Sequence, residues 1–363
     1  MRTSKDALLC CSRWVVGTTV LALLGLGGCE APRKAHGPSP AWDQTRLSAM
    51  LQLADEQIGS GKFVQARETL GMFHDASDVR LVCALTRVDV EEGNYEAALR
   101  RLDALPPEAG AATASQRLRG VALEGLGRWP AAAVAYQSAY TAEPAVELLV
   151  AWVDALILSG QSSFARDVLE LERGRFPGQP AIQVLAAELY QRDGDHAEAI
   201  RELTTAGLAE PRSPEIRRRL AEAYTAAGRW SDAIELWRAL LADSPAAGEE
   251  YALRSRLAAC LTRAGAAVEA REMYAVLAAA KPEDDAVATG MAAASLLAGE
   301  PAKALDAALT VLQRHPENVD ARLLAALSYR RLHQPAKAEA LLSDTRGSGD
   351  AVELAQKLLK SPH

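Results

Sequence analysis

The chain is 363 residues long, and its 47 acidic residues outnumber its 40 basic ones, which gives a formal net charge of −7. A nucleic-acid-binding protein would show a basic patch as its electrostatic footprint, so we expect no nucleic-acid partner. Aromatic residues make up only 5% of the chain, alanine is abundant and runs of β-branched residues are missing, which predicts helices throughout.

Residues 1–28 have the pattern of a secretory signal peptide. Arg2, Lys5 and Arg13 form a basic region, and an uncharged stretch of 15 residues follows at 14–28. This stretch is shorter than the roughly 20 residues of a membrane-spanning helix, which argues against a permanent transmembrane anchor. Removal of the signal takes away three basic residues and one acid, so the mature chain has a formal charge of −9.

The apolar stretch ends in Leu26-Gly27-Gly28-Cys29, which resembles the lipobox of bacterial lipoproteins: an aliphatic residue, two small residues and a cysteine. The resemblance implies that the Cys29 thiol receives a diacylglycerol, that cleavage follows before Cys29, and that the new amine is acylated. Two or three acyl chains would hold the protein stably on a membrane, where one chain would not. The alternative is an ordinary signal peptide and a soluble periplasmic protein.

The residues after Cys29 indicate where the anchored protein lies. In Gram-negative lipoproteins an Asp at the next position favours the inner membrane, and Glu30 does not carry that signal, so the resemblance favours the periplasmic face of the outer membrane. The segment Glu30–Trp42 has three prolines and no apolar period, and we interpret residues 29–45 as a lipidated flexible tether. Its reach is at most roughly 40 Å when fully extended.

A unit of about 34 residues then repeats through the rest of the chain. The segments GRWSDAIELWRALLADSP and GRWPAAAVAYQSAYTAEP align without a gap. The steps between consecutive copies are 32, 34, 33, 34, 34, 37, 34 and 34 residues. A fixed period of this length is typical of repeat architectures. The nine copies start at Gly61, Gly93, Gly127, Gly160, Gly194, Gly228, Gly265, Gly299 and His333.

Each copy follows one residue pattern after its first position. A small residue comes five positions later, a large residue nine later and a proline 17 later in the best copies. The first helix carries a small residue and a tyrosine three apart, as in Ala187/Tyr190, Ala221/Tyr224 and Ala326/Tyr329. This pattern resembles the tetratricopeptide repeat. Its small positions are Ala132, Ala199, Ala233, Ala270, Ala304 and Ala338, its large positions Tyr136, Trp237 and Tyr274, and its closing prolines Pro144, Pro177, Pro211, Pro245, Pro282 and Pro316.

The pattern has a physical rationale. The glycine ends the first helix in the left-handed conformation, the alanine lets two helices approach, and the proline stops the second helix. No unit buries its face alone, so stacked units share a continuous core. The resemblance implies an all-α TPR α-solenoid, a right-handed superhelix of about nine helix-turn-helix repeats. We assign repeats 1–6 to residues 46–246, and repeats 7–9 with a C-terminal capping helix (Gly349–Lys360) to residues 247–363.

Three places depart from the pattern. The step of 37 puts three extra residues near Pro245–Tyr251, where a bend could separate the two groups of repeats. The first repeat lacks its closing proline. The last repeat has His333 in place of glycine, and a residue with a side chain adopts the left-handed conformation less readily.

Residues with catalytic or metal-binding chemistry show no matching motif. The histidines have no second ligand at helical spacing, so we expect no metal, no cofactor apart from the lipid on Cys29, and no enzyme activity. Cys83 and Cys260 lie about five repeats apart, too far for a disulfide, and we predict both as small buried hydrophobic residues.

Charged positions on the first helices are the candidate binding site. Their register places them on the inner, groove-lining face of such a superhelix, which predicts binding of an extended peptide segment of a protein partner. The arginines at the N-terminal end make that end of the groove basic. These residues are Arg80, Arg87, Arg117, Glu124, Asp154, Glu188, Arg218 and Glu222.

The sequence therefore indicates a membrane-anchored scaffold that binds protein partners in the cell envelope. Similar lipoproteins assist the assembly of pilus, secretion or exopolysaccharide-export machines. One rival is a cell-wall regulator that binds peptidoglycan enzymes or glycan, which a groove of stacked aromatic residues would favour; Trp152 and Trp230 instead fall at core positions. A second rival is an enzyme with an unrecognised site, which a cluster of strongly shifted titratable groups would favour.

Overall fold

A computed structural model describes residues 40–72, 78–243 and 247–343. That part of the chain is all-helical and has no strand. None of its helices combines the length and the apolar character needed to cross a membrane. The predicted signal peptide, the lipidation site at Cys29 and the capping helix at Gly349–Lys360 lie outside the described residues.

The described residues form 19 α-helices. The chain divides into two compact units between Leu189 and Tyr190, inside the tenth helix. The helices are α1 (Pro40–Gly59), α2 (Phe63–Gly71), α3 (Val79–Glu91), α4 (Tyr95–Asp103), α5 (Pro107–Ala111), α6 (Thr113–Gly125), α7 (Trp129–Ala142), α8 (Val146–Leu158), α9 (Ser162–Glu172), α10 (Pro180–Arg192), α11 (His196–Ala209), α12 (Pro214–Ala226), α13 (Trp230–Ala242), α14 (Ala247–Arg263), α15 (Ala267–Ala280), α16 (Asp285–Leu297), α17 (Pro301–Arg314), α18 (Val319–Arg331) and α19 (Pro335–Ser343).

These helices make the nine predicted helix pairs, with the short α5 between the second and third pairs. The first helices are α1, α3, α6, α8, α10, α12, α14, α16 and α18, and each is followed by its second helix. Helix α1 begins at Pro40, so residues 40–45 of the predicted tether belong to the first helix.

The turn inside every pair has the predicted left-handed residue. The eight glycines that start the copies have φ between 69° and 82°, and His333 has φ 57°. In the third pair, the amide of Gly127 donates to the carbonyl of Glu124 at 2.9 Å and that of Arg128 to the carbonyl of Leu123 at 2.9 Å, which satisfies the end of α6. The last repeat therefore keeps the same turn, although a non-glycine residue adopts this conformation at a cost of roughly 1–2 kcal/mol.

The small and large positions pack as predicted. In all nine copies the residue five after the turn is an alanine with at most 2% of its surface exposed, which lets the paired helices approach closely. Four residues further on, Tyr136, Trp237 and Tyr274 are buried. The first-helix alanines Ala187 and Ala221 are buried as well.

Prolines mark the ends of second helices. Helix α7 ends two residues before Pro144, and α15 ends two residues before Pro282. Pro177 follows a 3₁₀ turn, Arg173–Arg175, at the end of α9. Pro245 lies outside the described residues.

The extra residues of the 37-residue step lengthen a helix. Helix α14 has 17 residues, whereas the first helices α12, α16 and α18 each have 13. Residues 247–251 therefore belong to the first turns of α14.

Each unit has its own stacked core. Helix α1 packs against α3 and α3 against α6 in the first unit, and α14 packs against α16 and α16 against α18 in the second. One buried cluster of the second unit joins Trp237, Leu257, Leu261 and Leu277, which come from three successive helices. Neighbouring repeats thus bury each other's apolar faces, as the repeat pattern requires.

Candidate binding surfaces

Two of the predicted groove residues lie on α3 and are held in ion pairs. Arg80 Nη2 lies 2.8 Å from Asp78 Oδ2, and its guanidinium lowers the pKa of that carboxyl through a hydrogen bond. Arg87 Nη1 lies 2.9 Å from Asp55 Oδ1, which joins α3 to α1. The positive charge predicted at this end of the surface is therefore partly neutralised within the chain.

The predicted residues on α6 differ in their surroundings. Arg117 is exposed, and its positive charge partly offsets the effect of burial on the pKa of the Cys83 thiol. Glu124 accepts a hydrogen bond from the hydroxyl of the buried Tyr136 at 2.9 Å. Glu124 thus stabilises the packing between α6 and α7.

The two free cysteines have different surroundings. Cys260 is buried, as predicted. Cys83 is only half-buried, so the prediction for it is wrong; its Sγ lies 3.7 Å from Ser115 Oγ of α6. Burial raises the pKa of the Cys83 thiol.

The predicted residues of the middle repeats are half-buried. Asp154 lies on α8 and Glu188 on α10. In the second unit, Arg218 on α12 contacts Glu215, at 3.4 Å, and Glu249 of α14.

A second ion pair also joins α12 to α14. Glu222 pairs with Arg256, whose guanidinium lies 5.4 Å from the centroid of the Trp237 ring. The partners of Arg218 and Glu222 on α14 lie 31 and 34 residues further along the chain, about one repeat. These two predicted residues therefore hold neighbouring repeats together. Their role in partner binding stays a prediction.

Sequence reasoning missed a buried charge in the first unit. Asp89 on α3 is 2% exposed, and its carboxylate lies 2.7 Å from Arg67 Nη2 and 3.0 Å from Arg101 Nε. Arg67 also pairs with Glu92, and the hydrogen bonds that Arg67 donates to Glu92 and Asp89 raise its pKa. The available signal was positional: Asp89 lies four residues before the turn, where three other repeats have tyrosine and no other repeat has a charged residue.

Aromatic residues at α7, α8 and α9 form an internal cluster. The Tyr140 and Trp152 ring centroids are 5.8 Å apart, and Phe164 meets Trp152 edge-on at 6.5 Å. The Tyr140 hydroxyl donates to Glu172 at 2.6 Å, and burial together with this carboxylate raises the pKa of Tyr140 to about 12. Tyr140 and Trp152 are buried in this cluster, whereas Phe164 is 45% exposed.

The tryptophans predicted at core positions have little free surface. Trp152 is 8% exposed, and Trp230 is half-buried against the core of the second unit. Trp152 is therefore closed to a stacking sugar, whereas part of the Trp230 side chain is exposed. Within the described residues, no three His, Cys, Asp or Glu side chains are placed to hold a metal ion.

The comparisons with known families agree with this architecture. A tetratricopeptide repeat-like domain matches residues 43–156, and tetratricopeptide repeat models match residues 190–253 and 292–353. The chain is a tetratricopeptide repeat protein, and domains of this family bind proteins and peptides. No curated protein matches the chain.

Two solved structures are similar to parts of this chain at low identity. MamA from Desulfovibrio magneticus RS-1 is 17% identical, with 50% of this chain and 97% of that chain covered and a TM-score of 0.42. PilW, described as a widely conserved type IV pilus biogenesis factor, is 17% identical over 58% and 97% of the two chains, with a TM-score of 0.48.

A chain of the Cut9–Hcn1 hetero-tetramer of APC/C has a TM-score of 0.50. It is 13% identical, and 80% of this chain and 59% of that chain are covered. At this identity the likeness shows the fold alone.

Proposed function

We propose that the protein is a non-catalytic scaffold of the bacterial cell envelope that binds extended segments of protein partners. The observation that carries this proposal is the regular stacking of helix pairs, in which the first helices α1, α3 and α6 of one unit pack side by side, as do α14, α16 and α18 of the other. A surface built on stacked helices is preorganised, so a partner segment meets binding groups that are already in place.

The proposed membrane attachment is supported by the LGGC sequence before the repeats. Lipids on Cys29 would hold the scaffold on the periplasmic face of the outer membrane. A short tether then raises the effective concentration of the scaffold near partners in the same membrane. Such an arrangement suits assembly of a pilus, a secretion system or an exopolysaccharide exporter.

The proposal is tested by the mass and the partners of the protein in its own envelope. Intact-mass analysis of membrane-extracted protein is expected to give a chain that starts at Cys29 and carries acyl chains. Cys29→Ala should abolish this modification, and Cys83→Ala is the matched control that should retain it. A plain cleaved chain in the soluble periplasm would contradict the anchor.

Cross-linking in the same preparation tests the scaffold itself. Partners of one assembly machine should be captured with the wild-type chain and at lower yield with Cys29→Ala, because the loss of the tether lowers the local concentration. If no protein is captured by either chain, the scaffold role is wrong.

A further inference from the structure

A strip of apolar residues and two arginines crosses the first helices of the last three repeats. It consists of the residues six and two positions before the turn residue in α14, α16 and α18. Positions four apart lie on one face of a helix, and these three helices pack in sequence. We name it the Arg263–Arg331 strip; its residues are Ala259, Arg263, Ala293, Leu297, Leu327 and Arg331.

The middle of the strip is apolar and open to solvent. Leu297 is 61% exposed, and Ala293 beside it on α16 is half-buried. Leu327 continues this surface on α18. An exposed leucine on a floor of small side chains leaves room for an apolar side chain of a partner.

The edge of the strip carries charge without a partner in the chain. Arg263 and Arg331 are both exposed, and neither guanidinium has an ion-pair partner among the described residues. Other arginines of the second unit, such as Arg218, Arg256 and Arg271, each contact a carboxylate. The two arginines lie in the last turns of their helices, where a positive charge is favourable. That location does not account for the exposed Leu297 between them.

We propose that the Arg263–Arg331 strip binds an extended acidic segment of a partner protein, with a carboxylate at each arginine and an apolar side chain over Leu297. This inference rests on the proposed scaffold function and adds the chemistry of its partner. Packed helices lie about 8–10 Å apart, so the arginines, two helices apart, are separated by roughly 16–20 Å. An extended chain rises about 3.3 Å per residue, which places the two carboxylates five or six residues apart.

Charge complementarity sets the sign of the charge on the partner segment. The mature chain has a net charge of −9, so its general field repels an acidic segment and only a local positive edge attracts one. Exposed charge pairs at the rim of an interface respond strongly to ionic strength. Binding is therefore expected to weaken as salt is added.

The test starts from a display library of random 12-residue peptides panned against the full mature chain. Enriched peptides should carry Asp or Glu five or six residues apart, with an apolar residue between them. The affinity of the best peptide should fall at least tenfold in the double variant Arg263→Gln/Arg331→Gln and fall in Leu297→Asp, with a smaller salt dependence in the double variant. Arg212→Gln removes an exposed arginine outside the strip and should bind as the wild type does.

Several results would overturn the inference. They are enriched peptides without acids, no enrichment at all, or an unchanged affinity in the double variant. An unchanged urea-unfolding midpoint shows that the variants are folded, since the three substituted side chains are exposed. If cross-linking captures the same partners with the double variant as with the wild type, the scaffold function stands and only the role of the strip is wrong.

Discussion

The same helix-pair frame holds a buried charge in one region and an apolar core in another. Four residues before the turn, α3 has Asp89 between Arg67 and Arg101. The equivalent positions in α14 and α16 are Leu261 and Ser295, both buried. Both regions form the same two-helix unit, although one position carries a carboxylate, an alkyl group or a hydroxyl.

The difference shows which positions set the fold. The left-handed turn and the alanine five residues later occur in every repeat, whereas the residue four positions before the turn varies. A charge is accepted at this position when the neighbouring helices supply its partners, since a buried polar group without partners is costly. In the first unit Arg67 and Arg101 therefore pair with the buried Asp89. In the second unit Arg263 and Arg331 are exposed at the surface.

The substitution Asp89→Asn breaks the buried side of this comparison and should have the largest effect. It leaves Arg67 and Arg101 without their shared carboxylate. Breaking a buried ion pair costs several kcal/mol, and we expect a loss of about 2–4 kcal/mol because both arginines, one-third exposed, can still reach water. Urea unfolding followed by circular dichroism measures this loss.

A matched control is Asp103→Asn on the neighbouring α4. Asp103 lies 2.5 Å from Arg119, but its side chain is 61% exposed. An exposed pair contributes about 0–1 kcal/mol, so this variant should be almost as stable as the wild type. Equal losses in the two variants would show that burial of Asp89 is not what makes its ion pairs matter.

The substitution Gly290→Ala tests the apolar side of the comparison. A Cβ at Gly290 in α16 would overlap the ring of Tyr274, which is 5% exposed and has little room to move. Overpacking costs about 1–3 kcal/mol and alanine returns up to about 1 kcal/mol through its helix propensity. The expected result is a net loss of about 1–2 kcal/mol in the free energy of unfolding.

Gly207→Ala is the control for this prediction. Gly207 also lies inside a helix, but its added Cβ would meet Ile216 Cγ2 at 3.8 Å, an ordinary van der Waals contact. This variant should be more stable than the wild type by about 0.5–1 kcal/mol. Stabilisation by both substitutions would mean that Tyr274 moves aside without cost.

Sequence reasoning succeeded where the backbone and sterics decide the structure. A left-handed turn selects glycine, and close helix contact selects alanine, so both leave a readable residue at a fixed spacing. His333 kept the turn because its repeat supplies the same neighbours, including Ala338 five residues later.

Sequence reasoning was weaker where the ion-pair partner of a side chain comes from a neighbouring repeat. Register places Arg218 and Glu222 on the groove-lining face of a first helix, but their charges are matched by Glu249 and Arg256 of the next repeat. Whether a charge is free is decided by such pairs, which the position of one residue in its own helix does not reveal. Asp89 was missed for the same reason.

The smallest of these effects is expected for Tyr251→Phe, which probes a single hydrogen bond between repeats. The Tyr251 hydroxyl donates to Asp284 Oδ2 at 2.8 Å, and Asp284 also caps α16 by accepting from the amide of Ala286 at 3.0 Å. Lys281 Nζ lies 4.3 Å from the centroid of the tyrosine ring and should keep this contact with phenylalanine. The variant should therefore lose only the hydrogen bond, about 1 kcal/mol near pH 7.

The pH dependence distinguishes this hydrogen bond from a packing effect. Burial and Asp284 raise the pKa of Tyr251 to about 12, whereas an unfolded tyrosine titrates near pH 10. The stability that the hydroxyl adds is thus complete below about pH 10 and is lost as pH rises toward 12.

The same bond lowers the pKa of Asp284, so its contribution is present above the ordinary aspartate pKa and is lost as pH falls through the lowered value. Urea midpoints from pH 3 to 11.5 should show the largest difference between wild type and variant near neutral pH. Tyr329→Phe, whose ring lies 5.5 Å from Lys337 Nζ, is the control for removing a tyrosine hydroxyl next to a lysine. A constant difference across this range for Tyr251→Phe would mean that the hydroxyl stabilises the repeats without its bond to Asp284.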